Sequence, residues 1–527
     1  MSNNIKVGRV GDFKKGEMKS VSVGEDKEVL IVNINDELFA LGAHCTHYGA
    51  SLQDGVLKDD TIICPLHHAC FNAKTGSLKE PPASDELPKF EIIIENGNIL
   101  VGVPEELPFS KTPEMSERDE ENNENYVIIG GGAAGYAAAQ AIREAEYNGK
   151  ITIVTRENRT PYDRPNLSKD YLQGSAQEEW MPLRPDDFYS KYNIEFMFDN
   201  MVNKVNIKGK RISFEKGEDL SYSKLLIATG GVPRELNIPG SDLKNIFYLR
   251  SFSDTDNIIE AAKNSKEAVI IGSSFIGMES AFSLTERGIK ITVVSPENVP
   301  FEKTLGKEIG ELLKKQHEES GVEIKMKRNV KNFEGNGKVE SVVLDNGEKV
   351  KAGFVVIGIG IKPATDFIDG LVKYTDGGIK VDHSFRAAED IYAAGDIAVF
   401  PFWITGEDVR IEHWRTALQM GRLAGFSMAG KNTKYESIPF FWTHQAGLNI
   451  RYVGHANNWD NIIYWGDVSS KEFIAFYVKD NKVTAAAGNN KDKEIDAVEV
   501  LMKAGKMPSP KELKEGNHDL ISLVKNG

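Results

Sequence analysis

Cysteine is nearly absent: of 527 residues only Cys45, Cys64 and Cys70 carry a thiol, and all three fall in one short stretch near the N-terminus. That excludes a disulfide framework and suits a metal site in a reducing compartment. Long apolar runs are missing too. No segment approaches the roughly 20 apolar residues of a membrane-spanning helix, and the opening Met1-Ser2-Asn3-Asn4-Ile5-Lys6 has no signal-peptide core, so a cytoplasmic protein is expected, with mitochondria second. Positive charge is in deficit, 64 Lys and Arg against 78 Asp and Glu, a net charge of −14, which makes nucleic acid a poor partner. The length suits about three or four domains.

The rest of the chain is organised around Tyr126-Val127-Ile128-Ile129-Gly130-Gly131-Gly132-Ala133-Ala134-Gly135. Apolar, β-prone residues end in G-x-G-x-x-G, and a small-residue helix from Tyr136 to Glu146 follows. Gly130 permits the turn, Gly132 leaves room for a pyrophosphate, and Gly135 lets helix and strand pack closely while the helix N-terminus faces the phosphates. A second strand, Ile151 to Thr155, leads to Glu157, about 20 residues past the last glycine, where an acid binds ribose hydroxyls. This is the setting of a flavin dinucleotide, FAD. Between Gly135 and Lys169 there is no cysteine, so a disulfide-reducing flavoenzyme is excluded.

A related unit recurs at Ala268-Val269-Ile270-Ile271-Gly272-Ser273-Ser274-Phe275-Ile276-Gly277. It reads as a nicotinamide site with Ser274 in place of the middle glycine. The next strand, Lys290 to Val294, ends at Ser295 with Glu297 just beyond and no arginine following closely, which favours NADH over NADPH.

Ahead of these units, residues 1–104 read as short strands and turns, an all-β module. Within it stand Cys45-Thr46-His47 and Cys64-Pro65-Leu66-His67. Two loops offering one Cys and one His each meet the requirement of a Rieske [2Fe-2S] centre, where two thiolates hold one iron and two imidazoles the other. Structural zinc, whose loops usually pair like residues, is the alternative. His44 and His68 stand at the wrong offsets to be ligands. His47 and His67 are expected near the surface, where electrons leave.

The module resembles the Rieske ferredoxins. High-potential members of that wider family have cysteines where this chain has Ala50 and Leu66, so the resemblance implies the lower part of the roughly −150 to +300 mV range. His68 stands where the family has glycine. Farther on, Pro161-Tyr162-Asp163-Arg164-Pro165-Asn166-Leu167-Ser168-Lys169 is similar to the mark of the FAD-dependent ferredoxin reductases of oxygenase systems and the related apoptosis-inducing factors. With the Rieske module in front, the chain resembles the Rieske-bearing, apoptosis-inducing factor-like branch. That resemblance implies that Arg164 contacts FAD, that Lys169 approaches flavin N5 and pairs with Glu279, and that Asp396, in Ile391-Tyr392-Ala393-Ala394-Gly395-Asp396, binds the ribityl chain. It also implies that a helix beginning at Glu412-His413-Trp414 meets the flavin pyrimidine edge, with Trp414 and Trp442 near the isoalloxazine.

The expected architecture is multidomain: the Rieske domain at 1–104, an acidic linker at 105–124, and a glutathione reductase-like α/β flavoprotein. In the latter the FAD domain spans 125–246 and 367–408, with a nicotinamide domain inserted at 247–366, and an α+β C-terminal domain covers 409–527. The expected function is electron transfer from NAD(P)H through FAD to the chain's own cluster and on to an oxygenase, cytochrome or ferredoxin. A signalling flavoprotein whose cofactor state controls partner binding is the alternative. Whether the cluster serves its own chain or a neighbour in a homodimer stays open.

Overall fold

The computed structural model describes residues 3–516 and 518–526. The N-terminal unit is all β. Its larger sheet runs in the order Asn3–Arg9, Asn98–Val103, Lys89–Glu95, Glu37–Gly42, Lys27–Ile34, Met18–Gly24. Tight turns set the register: Asn35-Asp36 and Asn96-Gly97 both have two consecutive positive φ angles, the geometry that matches the twist of the strands they join. A smaller antiparallel sheet, Val56–Lys58, Thr61–Ile63, Cys70–Asn72 and Leu78–Glu80, carries the second Cys/His loop.

The flavoprotein part holds two parallel sheets. Strands Ile194–Met197, Lys150–Val154, Asn125–Ile129, Lys224–Ile227 and Ile391–Ala393 form the first, with antiparallel Arg386–Ala388 on its edge. Their continuous apolar runs are those of strands buried on both faces. Between Lys224–Ile227 and Ile391–Ala393, neighbours in the sheet, the chain departs and builds a separate five-stranded parallel sheet: Ile246–Tyr248, Phe354–Ile357, Glu267–Ile271, Lys290–Ser295 and Glu323–Met326. One dinucleotide unit is thus inserted into the other.

The C-terminal part is an antiparallel sheet, Phe440–Gln445, Leu448–Gly454, Lys482–Asn489, Glu472–Lys479, Asn461–Asp467, backed by helix Asp492–Lys503. Helix Trp414–Met428 behaves differently from the rest of 409–527. It packs on helix Ala133–Glu144 of the flavin unit so closely that a Cβ at Gly421 would lie 2.1 Å from the Ala134 carbonyl oxygen, and one at Gly425 2.5 Å from that of Ala138. By packing, the flavin unit therefore reaches past residue 408. The acidic linker has no regular structure, yet it is sewn down: Glu86 and Lys111 exchange backbone hydrogen bonds, Ser116 N–H donates to the Arg143 carbonyl, and Arg118 pairs with Glu195 at 3.1 Å.

Candidate redox site

The carboxyl ends of the first sheet's strands open on a cavity of about 610 Å³, lined by Gly130, Gly132, Glu157, Arg164, Lys169, Glu279, Asp396 and Trp414 among others. Gly135, Gly272 and Gly277 lie outside it. They serve close packing: a Cβ at Gly135 would stand 1.9 Å from the Gly130 carbonyl oxygen, and one at Gly277 2.2 Å from that of Gly272. At Gly132 a Cβ would meet nothing within 4 Å, so the backbone there is open to a close-fitting group. Helix Ala133–Glu144 begins at Gly132 and helix Trp414–Met428 at His413, both without a side-chain cap. Helix starts of this kind present backbone N–H groups to an anion. The donor set fits a dinucleotide.

Within the cavity several charged groups are paired. Glu157 accepts from the Tyr162 hydroxyl at 2.6 Å and from Arg164 at 2.9 Å. Burial pushes its carboxyl up, but the Arg164 guanidinium and the Tyr162 hydrogen bond more than offset this and hold it below the usual range. Asp396 accepts from Arg250 at 2.9 Å. Lys169 Nζ lies 2.7 Å from Glu279 Oε2, which also accepts from Ser168 Oγ at 2.6 Å, while Oε1 accepts from Thr443 Oγ1 at 2.7 Å. Glu279 is only 3% exposed, so these three donors, from two parts of the chain, replace the water it has lost. Behind them Gln445 donates to Thr443 and faces His317 Nε2 at 2.8 Å. No sequence motif announced Thr443, Gln445 or His317.

In the second unit Ser274 is exposed at the start of helix Phe275–Glu286 and does not cap it. At the end of strand Lys290–Ser295, Ser295 accepts from Ser273 and donates to the Glu297 carboxylate, which brings the acid back to the strand end. The fold also delivers Arg328 here, invisible from sequence distance: its N–H donates to the Ser295 carbonyl at 3.1 Å, while its guanidinium turns to the Lys327 carbonyl.

The two Cys/His loops share one construction. Cys45 N–H donates to Ala50 and Gly49 N–H to Cys45; Cys64 N–H donates to Ala69 and His68 N–H to Cys64. Gly49 and His68 occupy equivalent left-handed positions, φ 72° and 57°, so His68 adopts the backbone for which the first loop uses glycine. The loops bring His47 Nδ1 within 3.1 Å of His67 Nδ1 and bury Cys45 beside Cys64. Burial lowers His47 to about 4 and His67 well below the ordinary imidazole value, leaving neutral rings with lone pairs to offer. A hydrogen bond from Cys64 draws the Cys45 thiol down. Among the described residues no three His, Cys, Asp or Glu side chains are arranged to hold a single metal ion. Two imidazoles on one side and two thiols on the other fit a two-iron cluster instead. Both histidines are half-buried. The His67 ring packs on Trp442, centroids 4.2 Å apart, and Trp442 lines the 610 Å³ cavity. The histidine edge is thus near the surface of the Rieske module, and the module docks on the flavoprotein by that very edge.

Three family models match: Rieske [2Fe-2S] domain over residues 3–91, Pyridine nucleotide-disulphide oxidoreductase over 124–421, and Reductase C-terminal over 440–524. The chain is 34% identical to human Apoptosis-inducing factor 3 over 96% of its own length and 85% of that protein. It belongs to the pyridine nucleotide-disulphide oxidoreductases, in their Rieske-bearing, apoptosis-inducing factor-like branch. Rubredoxin-NAD(+) reductase of Pseudomonas putida is 31% identical over 64% of this chain and 88% of its own. A crystal structure of a covalent putidaredoxin reductase-putidaredoxin complex superposes with TM-score 0.72 at 28% identity, covering 77% of this chain and 99% of that one. This is an oxidoreductase of the ferredoxin reductase type, using flavin, nicotinamide and a Rieske [2Fe-2S] centre. It has no disulfide to reduce, since none of its cysteines lies in the flavoprotein part.

What sequence reasoning missed in this Rieske flavoprotein is its interior seam. His68, dismissed as a ligand, is fully buried between Asp496, at 2.6 Å, and Glu499, and stacks on Phe440 at 3.8 Å. Burial disfavours its charge, but the two carboxylates outweigh burial and raise it to about 9. Arg184 reaches Asp85 at 2.6 Å, and Arg451 donates to the carbonyls of Pro65 and Leu66. Each contact joins the Rieske unit to the flavoprotein.

Proposed function

We propose that this chain oxidises NADH with FAD, passes the electrons to its own Rieske cluster and delivers them singly to an external one-electron carrier. FAD, when bound, takes the two electrons of each hydride and releases them one at a time, which a [2Fe-2S] cluster can accept and hand on. The observation that carries the reading is Trp442, whose ring lines the cavity and touches the ligand His67.

The chain's own groups have distinct tasks. Gly130, Gly132 and the start of helix Ala133–Glu144 hold the pyrophosphate, Glu157 and Asp396 accept from ribose and ribityl hydroxyls, and Arg164 orders the Glu157 carboxylate. Gly135, Gly272 and Gly277 keep both dinucleotide turns tight. Lys169, fixed by Glu279, faces the reacting edge, and the start of helix Trp414–Met428 favours the negative charge that builds there on reduction. Trp414 walls the same end. Cys45 and Cys64 hold one iron, His47 and His67 the other. NADH is favoured over NADPH because the Glu297 carboxylate is anchored at the strand end, where it accepts from ribose hydroxyls and repels a 2′-phosphate, whereas Arg328 is turned away. Oxygenase, rubredoxin and ferredoxin systems of relatives suggest a small iron-sulfur protein or an oxygenase as the acceptor.

Anaerobic titration with NADH, and separately NADPH, followed by flavin absorbance and the cluster's paramagnetic signal, tests this. Bleaching by NADH followed by a Rieske signal is expected. A flavin that bleaches beside a permanently oxidised cluster would refute the circuit. The likeness to Apoptosis-inducing factor 3 favours a second reading, partner binding governed by cofactor state, which requires a partner retained by only one redox state of the protein.

A further inference from the structure

One side chain ties together several segments of the seam between flavin and cluster. Arg415, in the first turn of helix Trp414–Met428, is 0% exposed. Its neighbours Trp414 and Ala417 line the cavity. The guanidinium itself turns the other way: Nε donates to the Pro81 carbonyl at 3.0 Å, Nη1 to the Ile438 carbonyl at 3.1 Å, and Nη2 to the His68 carbonyl at 2.9 Å and Glu80 Oε2 at 3.1 Å. Glu499 Oε1 lies 3.4 Å from Nη2. His68 belongs to the second ligand loop, Glu80 ends the strand behind it and Pro81 follows that strand, and Ile438 and Glu499 belong to the C-terminal part. Glu80 in turn accepts from Gln419 at 2.6 Å, one turn along the same helix, and from Lys503 at 2.9 Å.

A guanidinium is a planar fork with fixed donor directions, so acceptors on four chain segments can be satisfied together only in one arrangement of those segments. Leaving any of them unpaired in a dry seam costs more than the hydrogen bond contributes when made. The helix that bears this fork also forms one end of the cavity. This side chain thereby ties the ligand loop to the helix at the flavin site, beside the bonds that Arg451 makes to the loop's Pro65 and Leu66 carbonyls.

We propose that Arg415 is a positioning residue for internal electron transfer, setting the spacing between the cluster's second ligand loop and the flavin edge; this rests on the circuit proposed above. It has no contact with the hydride-transfer groups Lys169 and Glu279, so its effect falls on the second step alone. Electron transfer weakens steeply with separation, and small misplacement of reacting groups costs orders of magnitude in rate.

The test uses the holoprotein and two variants. In Arg415→Met, stopped-flow mixing with NADH is expected to give wild-type flavin bleaching with cluster reduction slowed about tenfold or more. Glu80→Gln, which keeps one acceptor oxygen, is expected to show a smaller slowing of the same phase and serves as the deciding variant if Arg415→Met does not fold. Independently of turnover, hydrogen exchange of residues 64–70 is expected to speed up in Arg415→Met while the strands of the larger Rieske sheet stay protected. Cluster reduction at the wild-type rate in the folded variants, or bleaching slowed in step with it, would overturn the role of Arg415. A wild-type cluster left oxidised after its flavin bleaches would overturn the circuit itself, and this role with it.

Discussion

Glu279 is a carboxylate removed from water and answered by a lysine and two hydroxyls, so the charge it presents to Lys169 is fixed before any ligand enters. Removing Lys169 leaves that charge buried with two neutral donors, a loss on the order of 3 kcal/mol when one member of a buried pair is deleted. Lys169→Met is therefore expected to slow flavin reduction by NADH roughly ten- to a hundredfold, with FAD still bound, as read by rapid mixing; an unchanged rate would remove Lys169 from the reacting edge. At the far end of the same chain of hydrogen bonds His317 is held neutral. Burial lowers its pKa from 6.5 to about 4 despite the Gln445 bond. With the folded value below the unfolded one, its contribution is complete above pH 6.5 and is lost as pH falls through about 4. The size is about 3 kcal/mol, the shift converted at 1.36 kcal/mol per unit. Urea unfolding at several pH values should show wild type losing stability over this interval more steeply than His317→Gln. Equal slopes would mean that His317 is not the group that titrates.

At the scale of elements, the pairing of helices Ala133–Glu144 and Trp414–Met428 depends on backbone contact at Gly421 and Gly425. A Cβ at Gly421 would meet carbonyl and Cα atoms of Ala134, which cannot turn aside as a flexible side chain would. Gly421→Val is thus expected to cost about 1–3 kcal/mol or more by overpacking, seen as a lower melting temperature together with loss of flavin, because both helix starts face the cavity. A stable, flavin-replete Gly421→Val protein would contradict this packing. The elements themselves were legible in the sequence wherever a local rule governs them. Tyr126–Ile129 and Ala268–Ile271 read as apolar, β-prone strands, and the glycine turns follow from steric need. Gly421 and Gly425 carried no such signal, since a glycine inside a helix shows its reason only when the opposing helix is in place. The same holds for Thr443, Gln445, Arg328 and Arg415: each acts through partners tens to hundreds of residues away, at no fixed spacing. The proposed ligands of the cluster were legible because chemistry limits them to few residue types. Their orientation was not, because it depends on which face of the Rieske unit meets the flavoprotein.

At the scale of the molecule, that docking decides how electrons can move. The histidine edge of the Rieske unit lies against Trp442 of the same chain, and the seam is closed by buried charges: Arg415 with Glu80 and Glu499, His68 with Asp496, Arg184 with Asp85. Buried pairs are screened far less than surface ones, so salt should leave the docked geometry intact while it weakens the encounter with any external carrier. On the proposed circuit, transfer from flavin to cluster is a first-order step within one chain. Its rate is expected to be independent of protein concentration and nearly constant from about 0.05 to about 0.5 M salt, where the Debye length shrinks to a few ångströms. Delivery to an added one-electron carrier should slow over the same range if charge guides that encounter. A cluster-reduction rate that climbs with protein concentration would mean that the cluster is filled from a neighbouring molecule. The 4.2 Å contact between His67 and Trp442 would then not be the working route.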